Sequence, residues 1–156
     1  MKAVDIVGVL RAHYRPPEWA FFEEIRAGTG YGYKPNTDME KRLDAWVFHL
    51  WPSGGYQPTG FEIKITRSDF LRELKKKGKV ERYMALCQFF YYVTPANLVL
   101  SREIPDEAGL IWMYPKGRMR VMKKPPYRDI PIPEWDFFAA ICRRVSNAGW
   151  HSRPES

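Results

Sequence analysis

The sequence predicts one mixed α/β domain. Its 156 residues suit a single buried core and are too few for two ordinary domains. Segments with apolar residues at helical spacing alternate with segments of period two, and the clearest of the latter is GFEIKIT, residues 60–66. We expect the domain to span residues 1–150, with residues 151–156 as a frayed tail.

Two helices are predicted at the start of the chain. The first covers residues 2–12, where apolar side chains recur at helical spacing. The second covers residues 17–28, because Trp19, Phe22 and Ile25 recur on one side of a helix that begins with a proline and ends at glycines. Both would pack an apolar face on the core.

Two strands and a third helix follow. Residues 43–50 and 60–66 have strand character, and a Gly-rich turn separates them. Thr66 and Asp69 resemble a capping box, which predicts a helix over residues 68–77. A sharp corner between strand and helix therefore follows residue 66.

The C-terminal half predicts further elements of both kinds. In chain order they are a helix over residues 79–89, a strand over 90–93, an extended segment over 97–100, a hairpin of strands 109–114 and 119–122, and a helix over about 134–146.

The charge balance predicts a polyanionic partner. Lysine and arginine number 25 against 18 acidic residues, which gives a formal charge of +7, and phosphates favour such a surplus because neutralising them releases counterions. No stretch is apolar enough to cross a membrane, and charges interrupt the N-terminal apolar segment, so we expect a cytoplasmic protein. Cys87 and Cys142 are expected to be reduced core residues, and no Cys/His spacing suggests zinc.

One constellation of residues points to chemistry. Glu62 and Lys64 lie on a common face of the 60–66 strand, and Asp44 can join them if its strand pairs alongside. Two carboxylates, with the backbone carbonyl of Ile63, offer hard oxygen ligands for Mg²⁺ or Mn²⁺. A bound metal polarises a phosphate and generates hydroxide, and Lys64 would supply a cation.

Other interpretations of these residues stay open. Glu-Ile-Lys is also a common salt-bridged pattern on an exposed strand, and Asp44 can be an ordinary residue at a strand entry. The chain could be a nucleic-acid-binding module without catalysis. It could also be a structural protein that binds a partner through its aromatic side chains and the Pro-rich segment 123–133.

The run RLDAWVFHLWPSGGYQPTGFEIKITRSDFLRELKKKGKVERYMALCQFFYYVTP, residues 42–95, resembles a known family. It is similar to the small PD-(D/E)XK nucleases of phage and bacterial genomes that are related to MmcB-type DNA-repair proteins. The resemblance implies a restriction-endonuclease-like αβββαβ core, extended by C-terminal strands and a helix, and a metal-dependent DNA phosphodiesterase. Recognition of DNA structure rather than sequence is expected, and a homodimer would suit cleavage of two strands.

The resemblance also implies helper residues. Glu24, with Glu23 as the fallback, matches an acid on the first core helix that assists at the metal. Gln88 stands where related sequences often have Asp after the cysteine, and it could resemble a polar helper on the second core helix.

A basic stretch follows the Glu-x-Lys strand and is the predicted nucleic-acid-binding surface, with an ordinary solvated face as the alternative. Its members are Arg67, Lys75, Lys76, Lys77, Lys79 and Arg82. Tyr31, Tyr33, Trp51 and Tyr56 are predicted to lie in loops beside the site, where they could stack on bases or pack in the core.

Overall fold

A mixed six-stranded sheet forms the centre of the protein. The computed structural model describes residues 1–26, 42–76 and 83–151. Within them the strands are β1 (Trp19–Arg26), β2 (Arg42–His49), β3 (Thr59–Ile63), β4 (Phe89–Pro95), β5 (Gly109–Met113) and β6 (Met119–Lys123), and the helices are α1 (Ala3–His13), α2 (Arg67–Leu74) and α3 (Trp135–His151). The predicted α/β class is confirmed.

Strand order in the sheet follows chain order, β1 to β6. The pairs β1–β2, β2–β3 and β5–β6 are antiparallel, whereas β3–β4 and β4–β5 are parallel. Helix α2 lies in the connection between β3 and β4, as a parallel pair requires a crossover. The carboxyl ends of β3, β4 and β5 therefore meet at one end of the sheet.

The sheet has an apolar core on each face. Helix α1 covers one face with Ile6 and Leu10, which belong to the same buried cluster as Phe61. On the other face Phe70 of α2 and Phe137 of α3 are buried. Alternation along each strand sends successive side chains to the two cores.

Helix α2 begins as predicted. Thr66 is its N-cap, and the Thr66 hydroxyl accepts a hydrogen bond from the backbone N–H of Asp69 at 3.2 Å. Because this bond satisfies an N–H that has no partner within the helix, the chain turns from strand into helix within three residues of β3. The turn keeps α2 close to the end of β3.

The helix predicted over residues 17–28 is wrong, because residues 19–26 form strand β1. Trp19 and Phe21 face the α1 core, while Phe22 and Ile25 face the other. A strand that is apolar on both faces shows no alternation, and its spacing can match a helix equally well. Residues 27 and 28 of the prediction lie outside the described residues.

Other boundaries also differ from prediction. Of the helix predicted over 79–89, residues 79–82 lie outside the described part of the chain, only residues 83 and 84 are helical, and a turn precedes β4. Residues 97–100 form a turn rather than an extended strand. The hairpin of β5 and β6 is confirmed, and α3 continues to residue 151, past the predicted end at 146.

The two cysteines occupy different environments. Cys87 is buried in the core, as predicted, although it lies in the turn before β4 and not in a helix. Cys142 is exposed on α3, so its assignment to the core is wrong. In the part of the chain that the structure describes, no helix has both the length and the apolar character needed to span a bilayer.

Candidate active site

Asp44 reaches across from β2 to the backbone of β3. The paired register of the two strands extends to Ala45 opposite Phe61. Beyond that pair, Asp44 Oδ2 accepts a hydrogen bond from the N–H of Ile63 at 2.7 Å. The carboxylate thus takes the place of a backbone acceptor and is held beside the Glu-Ile-Lys segment.

Lys64 lies between two buried carboxylates. Its Nζ is 3.2 Å from Oε1 of Glu62 and 2.8 Å from Oε2 of Glu73. The three side chains are 13%, 5% and 3% exposed respectively. The backbone N–H of Lys64 donates to the carbonyl of Val93 at 3.0 Å, which fixes the lysine at the end of β3.

Glu73 was not found from the sequence. It lies one helical turn after Phe70, so both side chains face the sheet from α2. The available signal in the sequence was an acid on the apolar face of a short amphipathic helix. It lies nine residues after the lysine that it contacts. In the sequence alone, Glu73 is not distinguishable from the charged residues 75–77 that follow it.

The electrostatics of the cluster keep Lys64 protonated. Burial alone would lower the pKa of the lysine, but the charge of Glu62 and the hydrogen bond and charge of Glu73 outweigh it and raise the pKa above its ordinary value. At neutral pH Lys64 is therefore a cation. A lysine in this state can bind or stabilise negative charge and does not serve as a proton acceptor.

Tyr92 is a second residue that the sequence did not reveal. It pairs with Glu62 in the parallel register of β3 and β4, and its side chain is fully buried. Its hydroxyl makes no hydrogen bond within the described residues. Burial raises the pKa of Tyr92, as do the charges of Glu73 and Glu62, so the hydroxyl stays protonated beside the two acids.

A cleft of about 310 Å³ connects the cluster to solvent. It is lined by Ala3, Ile63, Lys64, Ile65, Asp69, Arg72, Glu73 and Lys76. At its rim Asp69 and Arg72 form an ion pair. The hydrogen bond from Thr66 and the charges of Arg72 and Lys64 lower the pKa of Asp69. The cleft thus exposes both charge signs beside Lys64.

Glu24 lies apart from this cluster. It is on β1, at the edge of the sheet two strands from β3, and not on a helix. Its Oε2 is 2.9 Å from Nη1 of Arg42, and its side chain is 63% exposed. Glu23, the fallback, pairs with Arg11. The structure brings neither acid to Lys64.

Gln88 lies at the opposite end of the strands from Lys64. It immediately precedes β4, and its backbone N–H donates to the carbonyl of Pro58 just before β3. Since Tyr92 is the β4 partner of Glu62, Gln88 is separated from that position by about 13 Å of strand. It is not on a helix, and the structure gives it no contact with the acid–lysine cluster.

The predicted basic surface is divided. Arg67 bonds to Glu103 and to the carbonyl of Leu98, so it would have to leave an acid to contact a phosphate. Lys75 and Lys76 are exposed at the end of α2. The remaining predicted members, Lys77, Lys79 and Arg82, lie outside the described residues.

The predicted aromatic side chains beside the site are placed elsewhere or not described. Trp51 and Tyr56 are in the β2–β3 connection, at the end of β3 opposite to Lys64. The Trp51 indole donates to the carbonyl of Pro17, and Tyr56 stacks on Phe48 with ring centroids 5.5 Å apart. Their predicted position beside the site is wrong, and Tyr31 and Tyr33 lie outside the described residues.

The predicted metal ligands are the carboxylates of Asp44 and Glu62 and the carbonyl of Ile63. Across residues 1–26, 42–76 and 83–151, no group of three or more His, Cys, Asp or Glu side chains is arranged as a metal site. Of these predicted ligands, Asp44 is bonded to the backbone N–H of Ile63, and Glu62 directly precedes Ile63 on the neighbouring strand. Mg²⁺ commonly takes one or two carboxylates and keeps several waters, so this donor set fits it.

Comparison of the chain with protein-family models, curated proteins and solved structures gave no significant match. The function is therefore inferred from the geometry described above.

Proposed function

We propose that the protein is a metal-dependent DNA phosphodiesterase of the PD-(D/E)XK type. One observation carries the proposal. Asp44 on β2 accepts a hydrogen bond from the backbone N–H of Ile63, between Glu62 and Lys64 on β3, and the ammonium of Lys64 contacts Glu62 and lines a solvent-accessible cleft. Acids beside a lysine suit hydrolysis of a phosphodiester, which requires metal ligands and a cation near developing negative charge.

The order of elements supports the same proposal. A helix, three antiparallel strands, a helix and a strand parallel to the third follow one another from α1 to β4. The restriction-endonuclease-like core that we propose has this αβββαβ order, with the acids on its second and third strands. Strands β5 and β6 and helix α3 would then be additions to that core.

Asp44, Glu62 and the carbonyl of Ile63 would hold the metal, Mg²⁺ or Mn²⁺. When bound, such an ion supplies Lewis acidity to the phosphate and a hydroxide at neutral pH. The hydrogen bond from the Ile63 N–H fixes one oxygen of Asp44, at 2.7 Å, and so orients the carboxylate. A ligand oriented in advance loses less conformational freedom on binding.

Lys64 would stabilise the charge that develops on the phosphate. Its ammonium is fixed by Glu62 and Glu73, and it lines the cleft through which a phosphate could approach. Because the cluster is nearly buried, its electrostatic interactions are stronger than they would be in water. Glu73 positions the ammonium, and the protonated hydroxyl of Tyr92 lies beside both acids.

Cleavage of a labelled DNA panel tests this proposal. Single-stranded, duplex, flap, fork and four-way-junction DNA would be incubated with Mg²⁺, Mn²⁺ or EDTA. Wild type would be compared with Lys64→Ala, the gentler Glu62→Gln, and Lys124→Ala as an exposed-lysine control. We expect metal-dependent cutting by wild type and the control and a loss of at least about 100-fold in the other two, because each removes a charge at the reacting centre.

Circular dichroism would establish that each variant is folded before rates are compared. If wild type cuts no substrate with either metal, or if folded Lys64→Ala and Glu62→Gln both cut at the wild-type rate, the catalytic proposal is wrong.

One observation favours a second candidate, a nucleic-acid-binding module of the same fold without turnover. Both acids that contact Lys64 are almost completely buried, as in an ion network whose role is structural. That candidate predicts salt-sensitive binding of DNA that is independent of metal and survives Lys64→Ala.

A further inference from the structure

Three cations on the β5–β6 hairpin lack acidic partners. Lys116, Arg118 and Arg120 are exposed, and within the described ranges of the chain none of them forms an ion pair. Four other arginines do have acidic partners: Arg11, Arg42, Arg67 and Arg72 pair with Glu23, Glu24, Glu103 and Asp69. The hairpin therefore carries three exposed cations that no acid of the described residues pairs with.

The hairpin holds these cations in an ordered turn. The N–H of Tyr114 donates to the carbonyl of Arg118 at 2.8 Å, and the Arg118 guanidinium carbon lies 4.6 Å from the centre of the Tyr114 ring. Lys116 and Gly117 both have positive φ, 68° and 79°. Glycine adopts this conformation freely, but a lysine there costs about 1 kcal/mol. A lysine at residue 116 is thus unfavourable for the turn itself.

The hairpin and Lys64 lie at the same end of the sheet. The turn follows the carboxyl end of β5, and Lys64 follows the carboxyl end of the parallel strand β3. Ligands of sheets with parallel strands bind outside this end. The hairpin is therefore on the side from which a substrate would approach Lys64.

Arg120 and Lys64 also share a face of the sheet. Arg120 pairs with Trp112, which pairs with Thr94, and Thr94 follows Tyr92 by two residues as Lys64 follows Glu62. Three strand spacings, from β3 to β6, separate Lys64 from Arg120 along this row, a distance of about 14 Å. Since one DNA strand rises about 3.4 Å per nucleotide, this distance corresponds to roughly four nucleotides.

We propose that the β5–β6 hairpin, through Lys116, Arg118 and Arg120, binds the phosphate backbone of DNA about four nucleotides from the phosphate held at Lys64. The choice of DNA rests on the function proposed above, whereas the contact itself requires no turnover. The three side chains contact phosphates and read no base, so binding is independent of sequence.

Binding measured without turnover tests the hairpin. Fluorescence anisotropy would follow a labelled 20-nucleotide strand and the corresponding duplex in EDTA, between 50 and 200 mM NaCl. The variants are wild type, the triple Lys116→Asn/Arg118→Gln/Arg120→Gln, and Lys124→Gln. Asparagine tolerates positive φ, so the triple variant should keep the turn. Lys124 is an exposed cation beyond the other end of β6, and its neutralisation controls for the loss of a positive charge away from the turn.

We expect the triple variant to bind about 100-fold more weakly at 150 mM salt, with the salt slope reduced by about 2 to 3, because three phosphate contacts are lost. Lys124→Gln should bind within about twofold of wild type. The inference is overturned if the triple variant keeps the wild-type affinity and slope, or if wild type binds neither nucleic acid.

Cleavage by the same proteins separates this inference from the proposed function. Hairpin-dependent binding by a wild type that never cuts would overturn the phosphodiesterase and leave the hairpin assignment standing. Metal-dependent cutting, together with DNA binding that is unchanged in the triple variant, would support the phosphodiesterase and overturn the hairpin assignment.

Discussion

The ammonium of Lys64 lies closer to Glu73 on helix α2, at 2.8 Å, than to Glu62 on its own strand, at 3.2 Å. The end of strand β3 and the last turn of helix α2 are thereby joined by a largely buried ion pair. The orientation of the lysine depends on an acid from a different element. Glu73 is in consequence a positioning residue for the proposed reaction.

Replacing Glu73 by glutamine should reduce cleavage roughly 10- to 100-fold, because the amide holds the ammonium less firmly and small displacements are costly in catalysis. It should also lower the pKa of Lys64, since one of the two carboxylates that raise it is removed. Nuclear magnetic resonance titration of the Lys64 side chain in both proteins measures this shift. Glu134→Gln, at an exposed position, is the matched control. An unchanged Lys64 pKa in folded Glu73→Gln would contradict the positioning role.

The ion pair of Lys64 and Glu73 should also stabilise the protein less at high pH. The pKa of Lys64 is higher in the folded than in the unfolded protein. The stabilisation of the folded state by the Lys64 charge is therefore complete below the pKa of the unfolded protein, near 10.5. It is lost as the pH rises through the higher pKa of the folded protein. Chemical denaturation of wild type and Glu73→Gln between pH 8 and 12 should show the stability difference shrinking above about pH 10.5. A difference that grows over this range would contradict the assignment.

Substitution by alanine should change the stability of the protein in opposite directions at two glycines, Gly60 and Gly8. A Cβ on Gly60 of β3 would lie 2.5 Å from Sγ of Cys87 and 2.8 Å from a methyl carbon of Leu43, so Gly60→Ala should lose about 1 to 3 kcal/mol through overpacking. Gly8, within α1, has nothing within 4 Å of that position, and Gly8→Ala should gain up to about 1 kcal/mol of helix propensity. Urea denaturation of both variants measures the contrast. Equal destabilisation by the two changes would show that the close approach at Gly60 is not the cause.

Local patterns in the sequence were sufficient for part of the fold. Alternation in residues 60–66 correctly predicted that Glu62 and Lys64 share a face, and the hydroxyl and acid at residues 66 and 69 located the start of α2. These features depend on backbone period and on bonds between near neighbours, which a sequence displays directly. The proximity of Asp44 followed from pairing of the two strands on either side of a turn.

The sequence-based predictions were wrong or incomplete where tertiary packing determines the structure. Strand β1 is covered on both faces, so Trp19, Phe22 and Ile25 mimic a helical stripe although they lie in a sheet. The partner of Lys64 on α2 depends on how that helix packs on β3, and residue spacing does not specify it. The pairing of Arg67 with Glu103 likewise joins residues 36 apart.

Acidification should weaken the contact between Arg67 and Glu103. The guanidinium of Arg67 and the N–H of Leu100 lower the pKa of Glu103 to about 2. The stabilising contribution of this acid is therefore present above its unfolded pKa, 4.5, and is lost as the pH falls towards 2. Thermal unfolding of wild type and Glu103→Gln from pH 7 to 2 should show their difference vanishing in this window. Glu107→Gln, nearby in the chain, controls for the general effect of acid, and a constant difference down to pH 2 would refute the assignment.

Thiol reactivity should separate the two cysteines. Cys142 is exposed on α3, whereas Cys87 is buried and its burial raises the pKa of the thiol, which suppresses the reactive thiolate. A thiol reagent at pH 8 should therefore modify one cysteine rapidly in the native protein and both in 6 M guanidinium. Cys142→Ser should abolish the rapid phase, and Cys87→Ser should leave it unchanged. Rapid modification of Cys87 in native Cys142→Ser would mean that the turn before β4 opens readily, and with it the core against which Gly60 and Phe90 pack.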